Sequence, residues 1–410
     1  MTGSATSTEP GGAGSRIYDF PFPREIAVEL SPQMLYLQKN EPIAQIRLPS
    51  GGKVWLATRY DDVREILADR RFSIAAATAE DAPELTRRVK LYPGLLMLDP
   101  PLHTKLRGIF VRALRSQPDE RVDALVQGSM DETLSTLAAG SLPVDLIDDF
   151  CKPMVTRFSA ALVGVPERTI ERFRTNFAVV LALGGVERAD TYRAADELRA
   201  IASEMIRVRR KKPSSDVAGL IVTEFDAQEE PLPEDNLIGL VIQSMSATAF
   251  PVISQLSYAI MALLRHPDQW NLLRARPELL DSAVQECLRF IAPIEIDHLR
   301  IALEDVEVAG RFFPKGSVVA TSVAAANLDE EKFQNPTEFD ITRTDNRHLA
   351  FGHGVHRCPG SSVGTRMLTV VLHTLLQRVP NLHLVSPANQ SNVLDRYNHV
   401  LLPGDVLIAW

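Results

Sequence analysis

The amino-acid sequence predicts a mainly α-helical fold with small β-sheets, in a single domain. Between about residue 102 and residue 290, apolar residues recur at the three- and four-residue spacing of helices that bury one face. After Pro293 the pattern changes to short β-type runs. No internal repeat and no linker rich in Pro, Gly or Ser divides the chain, so we expect one domain over residues 16–410. Residues 1–15 are small, polar and glycine-rich, which predicts a disordered N-terminal tail.

The first elements that the sequence predicts are a β-hairpin and a helix. Apolar residues alternate or cluster over residues 44–48 and 53–57. Between them lies Ser50-Gly51-Gly52, a glycine turn of the kind that joins two antiparallel strands. Residues 61–68 follow with apolar side chains three and four positions apart, which indicates a helix.

Long helices account for the middle of the chain, and the C-terminal part mixes strands with one more helix. The clearest helical patterns cover residues 102–114, 121–138, 194–210 and 237–264. We further predict strands over residues 301–306, 318–321 and 382–384, and a helix over residues 361–379 that follows Gly360.

Charge, cysteine usage and hydropathy exclude several classes of protein. The chain has 44 basic and 52 acidic residues, for a formal net charge of −8, which indicates no sequence-wide affinity for nucleic acid. Its 3 cysteines lie far apart, an odd and sparse set that is typical of a reducing cytoplasm and not of a disulfide framework. No uninterrupted apolar stretch reaches the length of a membrane span, and the N-terminus lacks the apolar core of a signal peptide. We therefore expect a soluble cytoplasmic protein with no nucleic-acid or membrane partner.

The most informative stretch is Phe351-Gly352-His353-Gly354-Val355-His356-Arg357-Cys358-Pro359-Gly360, called the cysteine loop below. Cys358 lies between glycines and directly before a long apolar helix, where the helix dipole stabilises a thiolate. A single thiolate without neighbouring ligands does not form a structural zinc site, but it can be the one protein ligand of a haem iron. The alternative is an inert buried thiol, which is what most free cysteines are. Cys151 and Cys287 are interpreted as such core residues.

The cysteine loop resembles the haem-binding signature of the cytochrome P450 family, Phe-x-x-Gly-x-x-x-Cys-x-Gly. The match covers Phe351, Gly354, Cys358 and Gly360. The resemblance implies the cytochrome P450 fold from about residue 17 to residue 410, a haem b cofactor, and Cys358 as the ligand of its iron.

A second matching motif is Glu286-Cys287-Leu288-Arg289, which resembles the family's Glu-x-x-Arg on the helix beneath the haem. Arg343 lies where the family completes a buried ion-pair network. A helical pair three residues apart is usually a solvated surface contact, but the apolar neighbours of this pair favour burial. In either case we interpret Glu286, Arg289 and Arg343 as structural.

Four cationic or potentially cationic residues match the family's partners of the haem propionates. The segment from Asp99 to Arg107 resembles the helix whose His and Arg hold a propionate, and two further matches follow later in the chain. Cations of fixed geometry suit carboxylates, although the first pair is also compatible with an ordinary polar helix face. The residues are His103, Arg107, Arg300 and His356.

The helix predicted over residues 237–264 matches the family's helix across the distal face of the haem. The family usually has an acid and an alcohol there, which relay protons during oxygen activation. In this chain Phe250 occupies the acid position and Pro251 the alcohol position, and the nearest hydroxyls are about one turn away. One interpretation of this replacement is structural: the proline only kinks the helix, and the fold tolerates the kink. The other is functional: the enzyme's reaction does not use the ordinary proton relay. The distal residues of interest are Ser246, Ala247, Thr248, Phe250 and Pro251.

Family geometry also proposes the wall of a substrate pocket, which is largely apolar and includes Ile294. Three polar residues are less expected there, namely Glu295, Asp297 and Asn398. Solvent exposure is the default for such residues, but a side chain that faces the cavity would bind an amine, amide or indole N–H. The wall segments are residues 72–96, 177–185, 244–252, 292–299 and 397–401.

The resemblance implies that electrons come from partner proteins, normally a ferredoxin and its NAD(P)H-dependent reductase. We expect an acidic ferredoxin to meet His353, Arg357 and Arg107 on the side of the cysteine loop. A small organic molecule is the expected substrate.

Several functions compete at this point. The absent relay favours oxidative ring closure or C–C or C–N coupling of a natural-product precursor, such as a tryptophan-derived or cyclic-dipeptide compound. Ordinary hydroxylation or epoxidation is the alternative. A peroxide-driven oxygenase shares the proline, but Phe250 replaces the arginine that such enzymes place before it. A non-catalytic protein that binds a partner is the alternative from another class, and the intact Cys358, Glu286 and Arg289 count against it.

Overall fold

The structure is a computed structural model that describes residues 16–24, 29–78, 82, 94–182, 186–385 and 405–410. The tail expected over residues 1–15 lies outside the described residues. The described helices, in chain order, are α1 Pro32–Asn40, α2 Tyr60–Ala68, α3 Leu102–Arg115, α4 Asp119–Ala138, α5 Lys152–Val163, α6 Glu167–Leu181, α7 Arg188–Lys211, α8 Val217–Asp226, α9 Glu234–Arg265, α10 Pro267–Ala275, α11 Leu280–Phe290, α12 Val323–Ala326 and α13 Ser361–Arg378. A π-helical turn, Leu146–Cys151, leads directly into α5.

The described strands are short, as expected for a mainly α-helical fold. They are β1 Ile17–Asp19, β2 Ile43–Arg47, β3 Lys53–Ala57, β4 Phe72–Ser73, β5 Val144–Asp145, β6 Arg300–Ala302, β7 Val306–Val308, β8 Arg311–Phe313, β9 Val318–Thr321, β10 His383–Leu384 and β11 Leu407–Ala409. One sheet has the order β1-β2-β3-β9-β6-β4, and smaller sheets join β10-β11-β5 and β7-β8.

The predicted N-terminal hairpin is confirmed. Strands β2 and β3 are antiparallel, with Ile43 opposite Ala57, and Gly51 in the turn has a φ of 91°, in the left-handed region that glycine adopts without steric cost. Strand β3 then pairs in parallel with β9, so that this sheet joins the beginning of the chain to the segment after the helices.

The strand predicted over residues 301–306 is wrong in its extent. The structure has β6 and β7 as two separate strands, and β7 pairs only with β8. The chain leaves the large sheet after Ala302, where Leu303 donates its amide to the Arg71 carbonyl at 2.8 Å. Asp305 accepts the Lys315 amide at 2.8 Å, which closes the small β7–β8 ribbon instead.

Helix α9 is the central element of the core. Glu234 and Asp235 in its first turn and Arg265 in its last complement the helix dipole. It packs against α5, α6, α7, α8 and α11. Among the described residues, α9 is the one helix that is long and apolar enough to cross a membrane, judged by length and composition alone, contrary to the sequence expectation. However, 65% of its most apolar window is buried inside the fold. It is therefore a mostly buried helix of the core.

Candidate functional site

The cysteine loop is a tight turn held by its own backbone and by glycines. The Cys358 amide donates to the Phe351 carbonyl at 2.8 Å, and Phe351 places its ring against Gly364 of α13. Gly354 has a φ of 69°, and a Cβ there would collide with the Leu67 carbonyl, so only glycine fits. Gly360 caps α13, and a Cβ at this position would lie 4.0 Å from the Cys358 sulfur.

The thiol of Cys358 is mostly enclosed. Burial raises its pKa, and the lowering effects of the Gly360 amide and of the Arg107 and Arg357 cations do not reverse this. The helix terminus that the sequence offers as a thiolate stabiliser is therefore outweighed by burial in the protein alone. A metal ion that coordinates a thiol deprotonates it outright, so this environment is compatible with a metal-bound thiolate.

Three of the predicted propionate partners form a buried basic cluster beside the loop. The rings of His103 and His356 lie 4.3 Å apart between centroids, and Arg300 is almost fully buried near them. Both ring nitrogens of His103 and Nδ1 of His356 are buried without a hydrogen-bond partner among the described residues. Such polar atoms are rarely left without a partner in a native protein, and together with the Arg300 guanidinium they fit an anionic group.

Burial sets the charge of this cluster. It lowers the pKa of His103, and it lowers that of His356 to about 3, with His103 and Arg300 acting in the same direction. Both imidazoles are therefore neutral at pH 7, and each offers one N–H donor. Arg300 lies 3.8 Å from Asp297 and donates to the His298 carbonyl at 3.1 Å.

Arg107 is placed differently from the other three. Its guanidinium donates to the Arg357 carbonyl at 2.5 Å, and burial lowers its pKa. It therefore lies between His103, one turn earlier on α3, and the backbone of the cysteine loop. This contact leaves Arg107 less available to an electron-donor protein than the sequence suggests, whereas Arg357 is exposed.

Glu286, Arg289 and Arg343 come together in the fold. Glu286 and Arg289 are fully buried and form a bidentate pair at 2.7 and 2.8 Å, and Arg343 reaches the same carboxylate at 3.2 Å. The Asn346 amide and the Asp340 backbone N–H also donate to Glu286, each at 3.0 Å. Arg289 further donates to several carbonyls, so both charges have their hydrogen bonds satisfied.

On the distal side, Phe250 is the centre of a small aromatic cluster. It is buried and contacts Phe177, Leu181 and Ile294, with 5.8 Å between the centroids of Phe250 and Phe177. Helix α9 continues through Pro251 to Arg265. The two phenylalanines and their neighbours form an apolar wall of the kind that binds aromatic molecules.

The two hydroxyls near Pro251 are bonded to the helix itself. Thr248 donates to the Ser244 carbonyl at 2.9 Å and approaches the Met245 carbonyl at 3.2 Å. Ser246 donates to the Gln243 carbonyl at 3.1 Å. Both hydroxyls thus direct their protons to the backbone of α9.

Comparison with known proteins identifies the family. Residues 173–402 match the family model described as Cytochrome P450. The chain belongs to the cytochrome P450 family. It is therefore an oxidoreductase with a haem–thiolate cofactor, and the buried cysteine loop and basic cluster fit that group: Cys358 would hold the iron, and His103, His356 and Arg300 would hold the carboxylates.

Relatives of this P450 include biosynthetic enzymes. Mycinamicin IV hydroxylase/epoxidase of Micromonospora griseorubida is 33% identical over 387 residues, which cover 94% of this chain and 95% of the relative. The structure of HinD with NMFT and NO has a TM-score of 0.88 at 31% identity, covering 96% of this chain and 100% of that chain. Cytochrome P450mel 107F1, described as having biaryl coupling reactivity, has a TM-score of 0.87 at 30% identity with the same coverage.

Two of the three polar residues proposed for the pocket wall have other partners. Glu295 does not face solvent: it is buried and forms an ion pair with Arg24 at 3.4 Å, and burial raises the pKa of its carboxyl. Asp297 is half-buried and faces Arg300. Asn398 lies outside the described residues. The same holds for two parts of the predicted pocket wall, namely residues 79–93 except residue 82, and residues 397–401.

Sequence reasoning missed several residues that shape this P450's distal side. Arg24 pairs with Glu295, Ser159 of α5 donates to the Thr248 carbonyl at 2.6 Å, and Gln243 accepts the Leu95 amide at 2.8 Å. Each contact joins distant parts of the chain, so no local pattern announces it. Cys151 and Cys287 are buried in the core, as predicted.

His348 makes the stability of this P450 sensitive to acid. Burial lowers its pKa to about 4, with Arg289 contributing. Its Nδ1 accepts the Ala350 amide at 3.2 Å, so Nε2 carries the proton and donates to Gln285 at 3.1 Å. Because the folded-state pKa lies below the ordinary value, this contribution to stability is complete above about pH 6.5 and is lost as the pH falls toward about 4.

Replacing His348 with glutamine is expected to flatten this acid limb. The shift corresponds to on the order of 3 kcal/mol of unfolding free energy between neutral and acidic pH. Urea unfolding of both proteins at about pH 7.5 and about pH 4.5 measures the difference. If wild type and His348→Gln lost the same unfolding free energy between the two pH values, the ring would titrate normally in the folded protein.

Proposed function

We propose that this P450 forms a C–C or C–N bond, by ring closure or coupling, in an aromatic precursor of a natural product. The observation that carries the proposal is Phe250-Pro251 at the positions of the family's acid and alcohol. The hydroxyls of Ser246 and Thr248, the nearest candidates to replace the alcohol, donate to carbonyls of their own helix. Tryptophan-derived compounds and cyclic dipeptides are the first substrates to test.

The chain's own residues supply binding and exclusion of water. Phe250, Phe177 and Ile294 offer an apolar surface on which an aromatic ring packs. A haem b held by Cys358 supplies the activation of dioxygen when bound. In the overall reaction the substrate loses two hydrogen atoms, and dioxygen is reduced to two waters with two electrons from a reduced ferredoxin and two protons. The protons come from water or from the substrate, because residues 243–255 contain no Asp or Glu.

A ferredoxin would reach this P450 at an open cleft beside the cysteine loop, and its reductase would draw on NAD(P)H. The cleft has a volume of about 670 Å³ and is lined by α4, α11, α13 and the loop, including the exposed Arg357. Its lining also contains Asp119 and Asp123, but Arg366 pairs with both of them. Such a redox partner fits a cytoplasmic enzyme, and we propose no nucleic-acid or membrane partner for it.

Ordinary hydroxylation or epoxidation is the second candidate function. It is favoured by the 33% identity to mycinamicin IV hydroxylase/epoxidase. The similar overall structure described as having biaryl coupling reactivity favours the first candidate.

The mass of the product separates the two candidates. Haem-loaded enzyme is incubated with a ferredoxin, its reductase, NADPH and a panel of aromatic dipeptides and cyclic dipeptides. We expect a product lighter than the substrate by two hydrogens, or a dimer lighter by two hydrogens than two substrates. Reactions without the reductase serve as the control. A major product heavier by one oxygen would favour the second candidate.

A further inference from the structure

Pro251 changes the hydrogen bonding of the helix that contains it. In an α-helix each carbonyl accepts the N–H of the residue four positions later, and α9 is helical on both sides of Pro251. The donor for the Ala247 carbonyl would be residue 251, and proline has no N–H. The Ala247 carbonyl therefore lacks its helical donor at i+4.

Among the described residues, the two neighbouring hydroxyls do not take the place of the missing amide. The Thr248 hydroxyl is directed to the Ser244 and Met245 carbonyls, at 2.9 and 3.2 Å. The Ser159 hydroxyl of α5 donates at 2.6 Å to the next carbonyl along the chain, that of Thr248. Neither hydroxyl thus supplies the Ala247 carbonyl with the donor that the helix withholds from it at i+4.

Ala247 is also accessible, whereas Ser246 and Thr248 on either side of it are half-buried. It is exposed, whereas Met245 and Phe250 are buried, in a helix that packs against α5–α8 and α11. Phe250 follows three residues later, on the neighbouring part of the helix surface, and forms the aromatic wall with Phe177. An acceptor therefore borders the space in which an aromatic substrate would lie.

We infer that the main-chain carbonyl of Ala247 binds an N–H donor of the substrate, an indole or a secondary amide of a lactam. This inference rests on the proposed function for the location of the substrate and specifies its chemical class. The N–H donor bonds to the carbonyl while the attached aromatic ring packs on Phe250. Pro251 is thus a specificity-determining residue, because it withholds the amide that would otherwise occupy the acceptor.

Methylated probes test this assignment. The parent probe is the cyclic dipeptide of two tryptophans. The second probe is the same compound methylated at both indole nitrogens, and the third is the same compound methylated at both lactam nitrogens. Equilibrium dialysis gives the dissociation constants of the haem-loaded protein. We expect one methylated form to bind about three- to tenfold more weakly than the parent, which also tells whether the donor is the indole or the lactam. Equal affinities for all three probes, or no binding of the parent, would overturn the inference.

Two variants separate a hydrogen bond from a steric effect of the methyl group. Pro251→Ala restores the amide donor to the Ala247 carbonyl, so the preference for the N–H probe should fall to about one. Ser159→Ala removes the donor of the adjacent Thr248 carbonyl and should leave the preference unchanged. An unchanged preference in Pro251→Ala would show that the methyl group acts sterically, and the inference would be wrong.

A crystal structure of the haem-loaded wild-type protein with the parent probe gives a readout that needs no variant. The nitrogen of the probe's N–H group should lie about 3 Å from the Ala247 carbonyl oxygen. A structure in which the Val252 amide donates to that oxygen in place of the probe would contradict the inference. A probe anchored at Ala247 but converted to an oxygenated product would refute the proposed coupling reaction while leaving the anchor in place.

Discussion

Replacing Cys358 with serine is expected to abolish the haem–thiolate spectrum and the activity. Cys358 is the one cysteine in the cysteine loop, whereas Cys151 and Cys287 are buried in the core. Serine keeps the size of the side chain but does not provide the thiolate that tunes the iron. The carbon-monoxide difference spectrum of the reduced protein is the measurement.

Cys151→Ala is the matched control, because it removes a thiol far from the loop and should keep the spectrum. An unchanged spectrum in Cys358→Ser would refute Cys358 as the ligand. A wild-type protein without the thiolate-type Soret band would revive the interpretation of a non-catalytic partner-binding protein.

Glu286→Ala is expected to give little soluble, haem-loaded protein. The substitution leaves Arg289 buried and without its carboxylate, and removes the carboxylate that Arg343 contacts. Breaking a buried pair in this way costs about 3–5 kcal/mol, a large fraction of the stability of a typical domain. Yield of holoprotein and urea unfolding of the soluble fraction measure the loss.

The pair Glu204–Arg207 offers a matched control with the same three-residue helical spacing. Its side chains are 58% and 54% exposed, and exposed pairs contribute little to stability. Glu204→Ala should therefore unfold like wild type. If Glu286→Ala did so as well, the buried network would not be what holds this part of the fold together.

Local motifs made much of the haem side predictable from the sequence. Glycines at positive φ and a cysteine before an apolar helix have a narrow range of structural solutions, and the loop adopts one of them. Glu286 and Arg289 lie three residues apart on one amphipathic helix, so their contact follows from helical spacing.

Contacts between distant segments were not predictable in the same way. Glu295 is proposed from the sequence for the substrate pocket, with solvent exposure as the default for a carboxylate, yet it is buried against Arg24 from the N-terminal part of the chain. The strand expected over residues 301–306 is divided, and Asp305 between its two parts accepts the amide of Lys315 from the turn after β8. In both cases a tertiary contact outweighs the local preference of the residue.

On the distal helix, sequence and structure contribute different parts of the account. The absence of an acid and an alcohol at Phe250 and Pro251 is visible in the sequence. Only the structure shows that the Thr248 hydroxyl is turned to its own helix and that Phe250 packs on Phe177. Together they support the proposal that this stretch binds an aromatic substrate.

Incorporation of label from isotopically labelled dioxygen tests the central claim most directly. The assay uses wild type and the double variant Phe250→Glu with Pro251→Thr, which restores the acid and the alcohol. We predict that the major wild-type product contains no label, and that the double variant couples no faster but forms more labelled, hydroxylated product. Label in the major wild-type product, or a large gain of the native reaction in the double variant, would contradict the claim that this P450 couples its substrate without the proton relay.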